Sequence, residues 1–241
     1  MKIGIIGCGV MGGAIAGFLH GEELIGYDTN YEKVEALGIR VVDSVEALVR
    51  EADCILLAVK PQTFREMKVD FKDKLVVSIM AGVKLADLPK RSVRVMPNLG
   101  AKVGKSVSSF VCGRVSEEDK IFVENLLEKF GIAIEVLSDD EIDKMTALSG
   151  SGPAYLYAFL QALNECANEF GFDAETSRRV LNQLVYGALQ AANGDDYNEM
   201  IKKVASKGGT TEAALKVLDD GKFKEVIKKA ACAAYERAKE L

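Results

Sequence analysis

The chain carries a single histidine, His20, among its 241 residues, and its five cysteines are scattered at Cys8, Cys54, Cys112, Cys166 and Cys232. An odd, wide spacing fits neither a disulfide framework nor paired metal ligands, and no His or Cys grouping offers a nucleophilic triad or a metal site. The cysteines are therefore expected to be reduced and mostly buried, and His20, at the end of the first helical run, to cap helix carbonyls. No apolar run approaches the ~20 residues of a membrane span. The opening MKIGIIGCGV has one lysine and a short apolar stretch broken by glycines, which is not the build of a secretory signal. A cytoplasmic protein away from membranes is the expectation. Basic residues number 31 against 36 acidic ones, a net charge of -5, and no basic cluster offsets it. That balance argues against a nucleic-acid partner and for a small-molecule ligand. Internal repeats and low-complexity tracts are also missing.

What is present divides in two. From Lys2 to about Leu137 short β-like runs alternate with helix-like ones, as in a parallel sheet covered by helices. The strands expected are 2–6, 23–27, 54–59, 75–80, 94–96, 106–111 and 132–137. Helices are expected over 10–19, 31–37, 45–51 and 117–130, with Asp43 or Ser44 and then Ser116 as N-caps. From Pro153 the alternation stops, and helical periodicity continues with breaks at Gly171, Gly194, Gly208 to Gly209 and Gly221. The segment PAYLYAFLQALNECANEFG is apolar nearly all round in its first turns, so more than one face must be covered. A domain of that size struggles to do so alone, and a homodimer built through it is predicted.

The first chemical signal is GIIGCGVMGG, in which Gly7, Gly9 and Gly12 fit G-x-G-x-x-G between a strand and a helix. The first glycine permits the tight turn, the second lets a pyrophosphate approach the backbone, and the third lets helix pack on strand. Asp28 lies at the end of the next strand, 21 positions after Gly7. A carboxylate there accepts hydrogen bonds from an unmodified ribose and repels a 2′-phosphate, which tilts the cofactor from NADPH towards NADH, although Asn30 and Lys33 follow closely. Strand endings AVKP, Ala58 to Pro61, and SIMAG, around Ile79, Met80 and Ala81, should face the same crevice. The fold class is thus α/β, a Rossmann-type doubly wound sheet over 1–150 followed by an all-α dimerisation domain over 151–241.

The second signal is SKGGTTEAAL. Gly208 and Gly209 free the backbone where a helix starting near Thr210 or Thr211 presents unpaired N–H groups, an arrangement suited to a carboxylate. Plain capping by one threonine and termination by glycine would explain most of the same residues.

Taken in order, GCGVMGG, AVKP, RVMPN, LSGSGPAYLYAF and SKGGTTEAALKVLDD resemble the pyrroline-5-carboxylate reductases along essentially the whole chain. The resemblance implies a Rossmann domain, a helical dimerisation domain, active sites at the dimer interface, and reduction of L-1-pyrroline-5-carboxylate to L-proline by a nicotinamide cofactor, the last step of proline biosynthesis. It implies that Gly7, Cys8, Gly9, Val10, Met11 and Gly12, with Asp28, Ala58, Val59, Lys60, Pro61, Ile79, Met80 and Ala81, bind the cofactor. Ser206, Gly208, Gly209, Thr210 and Thr211 match the substrate loop, with Thr211 placing the hydroxyl that contacts the reacting nitrogen. Asp139 matches a further substrate position. The chain departs from the family at Asp28, where NADPH users tend to have a small polar residue, at Leu99 and Gly100 in place of Thr and Pro, and at Lys203 and Lys207. Assembly beyond a dimer stays open. The rivals are another two-domain reductase of β-hydroxyacid or F420-dependent type, which would usually show a catalytic lysine in a Gly-rich setting, and a nicotinamide-sensing regulator.

Overall fold

Apolar runs too short for helices and bounded by glycine, aspartate or proline become the strands of one sheet. These are β1 (Lys2–Ile6), β2 (Glu23–Tyr27), β3 (Arg40–Val41), β4 (Cys54–Leu57), β5 (Leu75–Ser78), β6 (Ser92–Met96), β7 (Ser106–Cys112) and β8 (Gly131–Glu135). A computed structural model describes residues 1–241. The strand order is β3-β2-β1-β4-β5-β6-β7-β8, and every neighbouring pair is parallel except β6 with β7. Because side chains alternate across a strand, the buried residues sort into two layers. Ile3, Ile5, Leu56, Val77 and Val95 face one side with Ile15, Val123 and Phe130; Ile6, Ile55, Leu57 and Val76 face the other with Leu48 and Val49. The sheet is doubly wound.

The helices are α1 (Val10–Ala16), α2 (Tyr31–Glu35), α3 (Val45–Glu51), α4 (Pro61–Glu66), α5 (Glu117–Glu128), α6 (Asp139–Met145), α7 (Gly152–Glu169), α8 (Ala174–Ala192), α9 (Tyr197–Val204), α10 (Thr210–Asp220) and α11 (Phe223–Lys239). Ser44, not Asp43, caps α3 by accepting from Ala47 N–H at 3.1 Å. Ser116 and Asp119 form a reciprocal capping box on α5, and Asp119 also takes a two-pronged bond from Arg91 at 2.8 and 2.6 Å. That guanidinium holds the Asp119 carboxyl below the usual carboxylate range. None of the helices is long and apolar enough to cross a membrane.

Several expectations need correction. β4 and β5 stop at Leu57 and Ser78, two residues early, which frees 58–59 and 79–80 as crevice loops. The helices starting at Val10, Tyr31 and Glu117 end sooner than their apolar pattern suggests. His20 consequently lies in the turn past α1 and caps nothing there. Strand β3 and helices α4 and α6 were not foreseen. Cys8 and Cys54 are buried and Cys112 is half-buried, but Cys166 and Cys232 are exposed.

The chain divides into two compact units, Met1–Pro153 with Ala233–Leu241, and Ala154–Cys232. The closing segment is tied to the first unit: the Tyr235 hydroxyl donates to Asp140, Lys239 lies 4.6 Å over the Tyr235 ring, and Arg65 donates to the Leu241 carbonyl at 3.1 Å. In the second unit only Ser177 and Ala192 are buried, while Tyr157, Phe170, Phe172, Val180, Leu184, Tyr186 and Val217 are exposed. Such a set of helices has almost no interior of its own.

One charge sits deep in the first unit. Arg94, in the middle of β6, is 2% exposed and donates to Asp139 at 2.6 Å and to Asp143 at 2.7 Å, both on α6. Asp139 also accepts from Leu85 N–H, so the triad joins a strand, a helix and a loop. Replacing one member of a buried ion pair leaves the other charge uncompensated. Arg94→Met should therefore lower the free energy of unfolding by about 3–5 kcal/mol, read as a shift of the denaturant midpoint; an unchanged midpoint would exclude the triad as a stabilising contact.

Candidate functional site

Strand register assembles the site. Ile6 pairs with Tyr27 on one side and with Leu57 on the other, so Gly7, Asp28 and Ala58 emerge together at the carboxyl edge of three adjacent strands. Leu57 in turn pairs with Ser78, which brings Ile79 to the same edge. In an open α/β sheet this edge, where strand order reverses between β1 and β4, is where ligands bind.

The turn from β1 into α1 is shaped by what cannot fit. Gly7 has φ +96°, and a Cβ there would stand 2.7 Å from the Ala58 backbone; a Cβ on Gly12 would stand 2.1 Å from the Gly7 carbonyl oxygen. A Cβ on Gly9 would meet nothing within 4 Å, so the loop is crowded from behind and open in front. Gly9 caps α1 without a side-chain acceptor, which leaves first-turn N–H groups for an anion. A cavity of about 410 Å³ opens here, lined by Gly7, Gly9, Asp28, Lys33, Val59 and Lys60 among others. These residues fit a nicotinamide dinucleotide: a bare backbone for the pyrophosphate and a carboxylate at the end of β2 for the ribose.

Asp28 does more than face the cavity. It is 9% exposed, and its carboxylate accepts from Cys8 N–H and from Asn30 N–H, each at 2.9 Å, with the Lys33 ammonium at 3.5 Å. It thus pins the glycine loop to the end of β2. The Asn30 side chain caps α2 by accepting from Glu32 N–H. Cys8 lies behind the loop, and burial, with the neighbouring Asp28 charge, pushes its thiol up to about 12. A buried thiol held in its protonated form is a weak nucleophile.

The other cofactor candidates divide. Ala58, Val59 and the exposed Lys60 line the cavity, and Pro61 opens α4 at a favoured first-turn position. Val10 is exposed, whereas Met11 packs on the core. Ile79 donates to the Leu57 carbonyl, Met80 is buried and Ala81 follows, all just past β5. Thr29, Thr63, Tyr27 and Met67 also line the cavity and carried no sequence signal. Asp139, which the resemblance matches to a substrate position, has its carboxylate in the Arg94 triad. An arginine inside the apolar run SVRVM was the available sign that acidic partners had to exist.

In the second unit, Thr210 and Thr211 are the first two residues of α10, and the cap is Gly209, with no side-chain cap bond. Capping therefore does not account for either threonine. Gly208 has φ +73°, and a Cβ on Gly209 would stand 2.6 Å from the Ser206 hydroxyl, so both glycines are required by the turn. Glu212 reaches back to accept from Gly208 N–H at 2.6 Å, which shows a carboxylate held by this loop. A larger open hollow along α8 is lined by residues of that helix alone, a surface rather than a site. No group of three or more His, Cys, Asp or Glu is arranged to hold a metal ion.

Comparison with known proteins bears on both units. Residues 139–241 match the pyrroline-5-carboxylate reductase dimerisation family, and residues 2–82 match the NADP oxidoreductase, coenzyme F420-dependent family. The chain is 33% identical to a pyrroline-5-carboxylate reductase of Pisum sativum, covering 99% of this chain and 95% of that protein. It is 34% identical to one of Aquifex aeolicus, covering 100% and 97%. A structure of a pyrroline-5-carboxylate reductase from Coxiella burnetii superposes with a TM-score of 0.87 at 32% identity, over 99% and 97% of the two chains.

Substituting the third glycine tests the cradle. Gly12→Ala, which drives a methyl into the Gly7 carbonyl, should weaken nicotinamide-cofactor binding by roughly tenfold or more, ~1.4 kcal/mol, in a fluorescence titration, and wild-type affinity would contradict the close approach.

Proposed function

The chain belongs to the pyrroline-5-carboxylate reductase family, and from that premise we propose that it reduces L-1-pyrroline-5-carboxylate to L-proline at the expense of a reduced nicotinamide cofactor. What carries this reading is the full-length similarity to those enzymes together with a glycine cradle that fits a dinucleotide. When bound, the cofactor supplies the hydride. The chain's own residues then have three tasks: to hold the pyrophosphate on the Gly7 to Gly12 backbone, to hold the substrate carboxylate, and to orient the ring nitrogen.

We assign the second task to the loop Ser206, Gly208, Gly209 and Thr210: the turn, closed by Gly208 N–H to Glu212 and Gly209 N–H to the Ser206 carbonyl, leaves the N–H groups of Thr210 and Thr211 at the positive end of α10. The third falls to Thr211, whose hydroxyl is free of capping duty. A substrate arriving as the iminium already carries its proton on nitrogen, so one positioned hydroxyl suffices and no histidine is required. The exposed apolar faces of the second unit, together with its match to a dimerisation family, support a homodimer formed through these helices.

For the cofactor we favour NADH. Asp28 ends β2 with its charge toward the cavity, and a 2′-phosphate would have to be accommodated beside it. The lysine pairing with Asp28 offsets part of that repulsion and makes the preference moderate.

Reduced-nicotinamide oxidation on adding pyrroline-5-carboxylate is the direct test, and a chain inert to that substrate would exclude the activity. In the same assay Thr211→Ala should lower turnover by roughly ten- to a thousandfold, and a wild-type rate removes Thr211 from the mechanism. Asp28→Asn, which keeps the shape and removes the charge, should raise kcat/KM with NADPH relative to NADH by roughly tenfold, ~1.4 kcal/mol. An NADPH preference present in the wild type and unmoved by the substitution would contradict the role given to Asp28.

A further inference from the structure

The segment TALSG, Thr146–Gly150, is wound as a π-helix between α6 and α7, and Ser151 N–H donates to the Thr146 carbonyl at 2.8 Å across five residues. Such turns are rare and collect at functional sites. Two hydroxyls brace it from within, Thr146 donating to the Ile142 carbonyl at 2.8 Å and Ser149 to the Met145 carbonyl at 2.9 Å.

A single side chain braces it from outside. Asn98 Nδ2 donates to the Ser149 carbonyl at 3.0 Å, while Asn98 Oδ1 accepts from Gly100 N–H at 3.0 Å and from Val107 N–H at 3.3 Å. The Asn98 N–H in turn donates to the Ser106 hydroxyl at 3.2 Å. The amide orientation follows from its partners, because oxygen faces two donors and nitrogen faces an acceptor. Asn98 therefore bolts together the exit of β6, the start of β7 and the π turn.

Its place in the sheet gives this bolt its meaning. Ser78 of β5 pairs with Arg94 of β6, so Met96, Pro97 and Asn98 run out past the same carboxyl edge as Ile79 to Ala81. The π turn lies directly over that exit, since a Cβ on Gly150 would stand 3.0 Å from the Met96 methyl. The π turn, braced by two hydroxyls from within and by one amide from outside, thus stands beside the exit of β6 at that edge.

We propose that Asn98 is a positioning residue for the hydride transfer: through the Ser149 carbonyl it holds the π turn as a wall of the crevice beside Ile79 to Ala81, where the imine must meet the nicotinamide. This rests on the reductase function proposed above. Small displacements of groups outside the reacting centre lower turnover by up to ~100-fold without abolishing binding.

Asn98→Asp separates its two roles, because aspartate keeps the oxygen that accepts from Gly100 and Val107 and loses the donor to Ser149. The variant should melt near the wild-type temperature and bind NADH with unchanged affinity, since the Gly7 to Gly12 cradle is untouched. Its kcat with pyrroline-5-carboxylate should fall by roughly tenfold or more, with a smaller change in KM. Should the added charge prevent folding, Asn98→Ser retains a capping oxygen, is too short to reach Ser149, and should give the same pattern. Wild-type kcat in a folded variant, or a loss of NADH affinity equal to the loss of kcat, overturns the proposal. A wild-type chain that binds NADH but does not oxidise it with pyrroline-5-carboxylate overturns the reductase function instead, and the proposal with it.

Discussion

The first unit is organised by backbone meeting backbone at the top of β1. Gly7 lies so close to Ala58, and Gly12 so close to the Gly7 carbonyl, that no side chain of any kind can stand between them. That contact sets the distance between the β1–α1 turn and the exit of β4, which is where strand order reverses. Crowding behind the loop also leaves its outer face bare, and a bare backbone with free N–H groups is what a pyrophosphate needs. Asp28 completes the arrangement by accepting from Cys8 N–H, so the same carboxylate that faces the cavity also holds the cradle in shape.

Buried charge is used sparingly and with partners. Arg94 sits in a buried strand only because Asp139 and Asp143 meet it, and Arg91, just before the same strand, is matched by Asp119. These clasps tie β6 and the residue before it to α6 and α5. The second unit follows a different rule: its helices keep aromatic and aliphatic side chains in the open, with two buried residues between Ala154 and Cys232. Hydrophobic burial there is left for another surface to complete.

Local chemistry was readable where it acts over a few residues. The strand-glycine-helix start, the Ser44 and Ser116 caps, and the breaks at Gly171, Gly194 and Gly221 all depend on neighbours in the chain. Helices α4 and α6 escaped the sequence reading although each carries a local sign, Pro61 at a first-turn position and Ser138 capping the Glu141 backbone, because both are too short to show a period. Strand β3 gave no comparable sign, because two residues at a sheet edge carry no period to detect. The length of β4 and β5 was overestimated because apolar residues just past a strand, such as Val59 and Met80, continue the pattern while the backbone has already turned to the crevice.

From sequence alone follow the alternating and helical halves, the dinucleotide cradle and the SKGGTT loop, since each is written in residues that are adjacent or nearly so. Tertiary structure decided what distant residues do to one another. It gave Asp139 to Arg94, 45 positions away, turned Asp28 back onto Cys8, withdrew capping from Thr210 and Thr211, and set Asn98 against a π turn 51 residues further on. A carboxylate or an amide has the same letter whether it meets solvent, a ligand or a buried guanidinium. Only the fold, by bringing its partner within hydrogen-bond distance, determines which of these it serves.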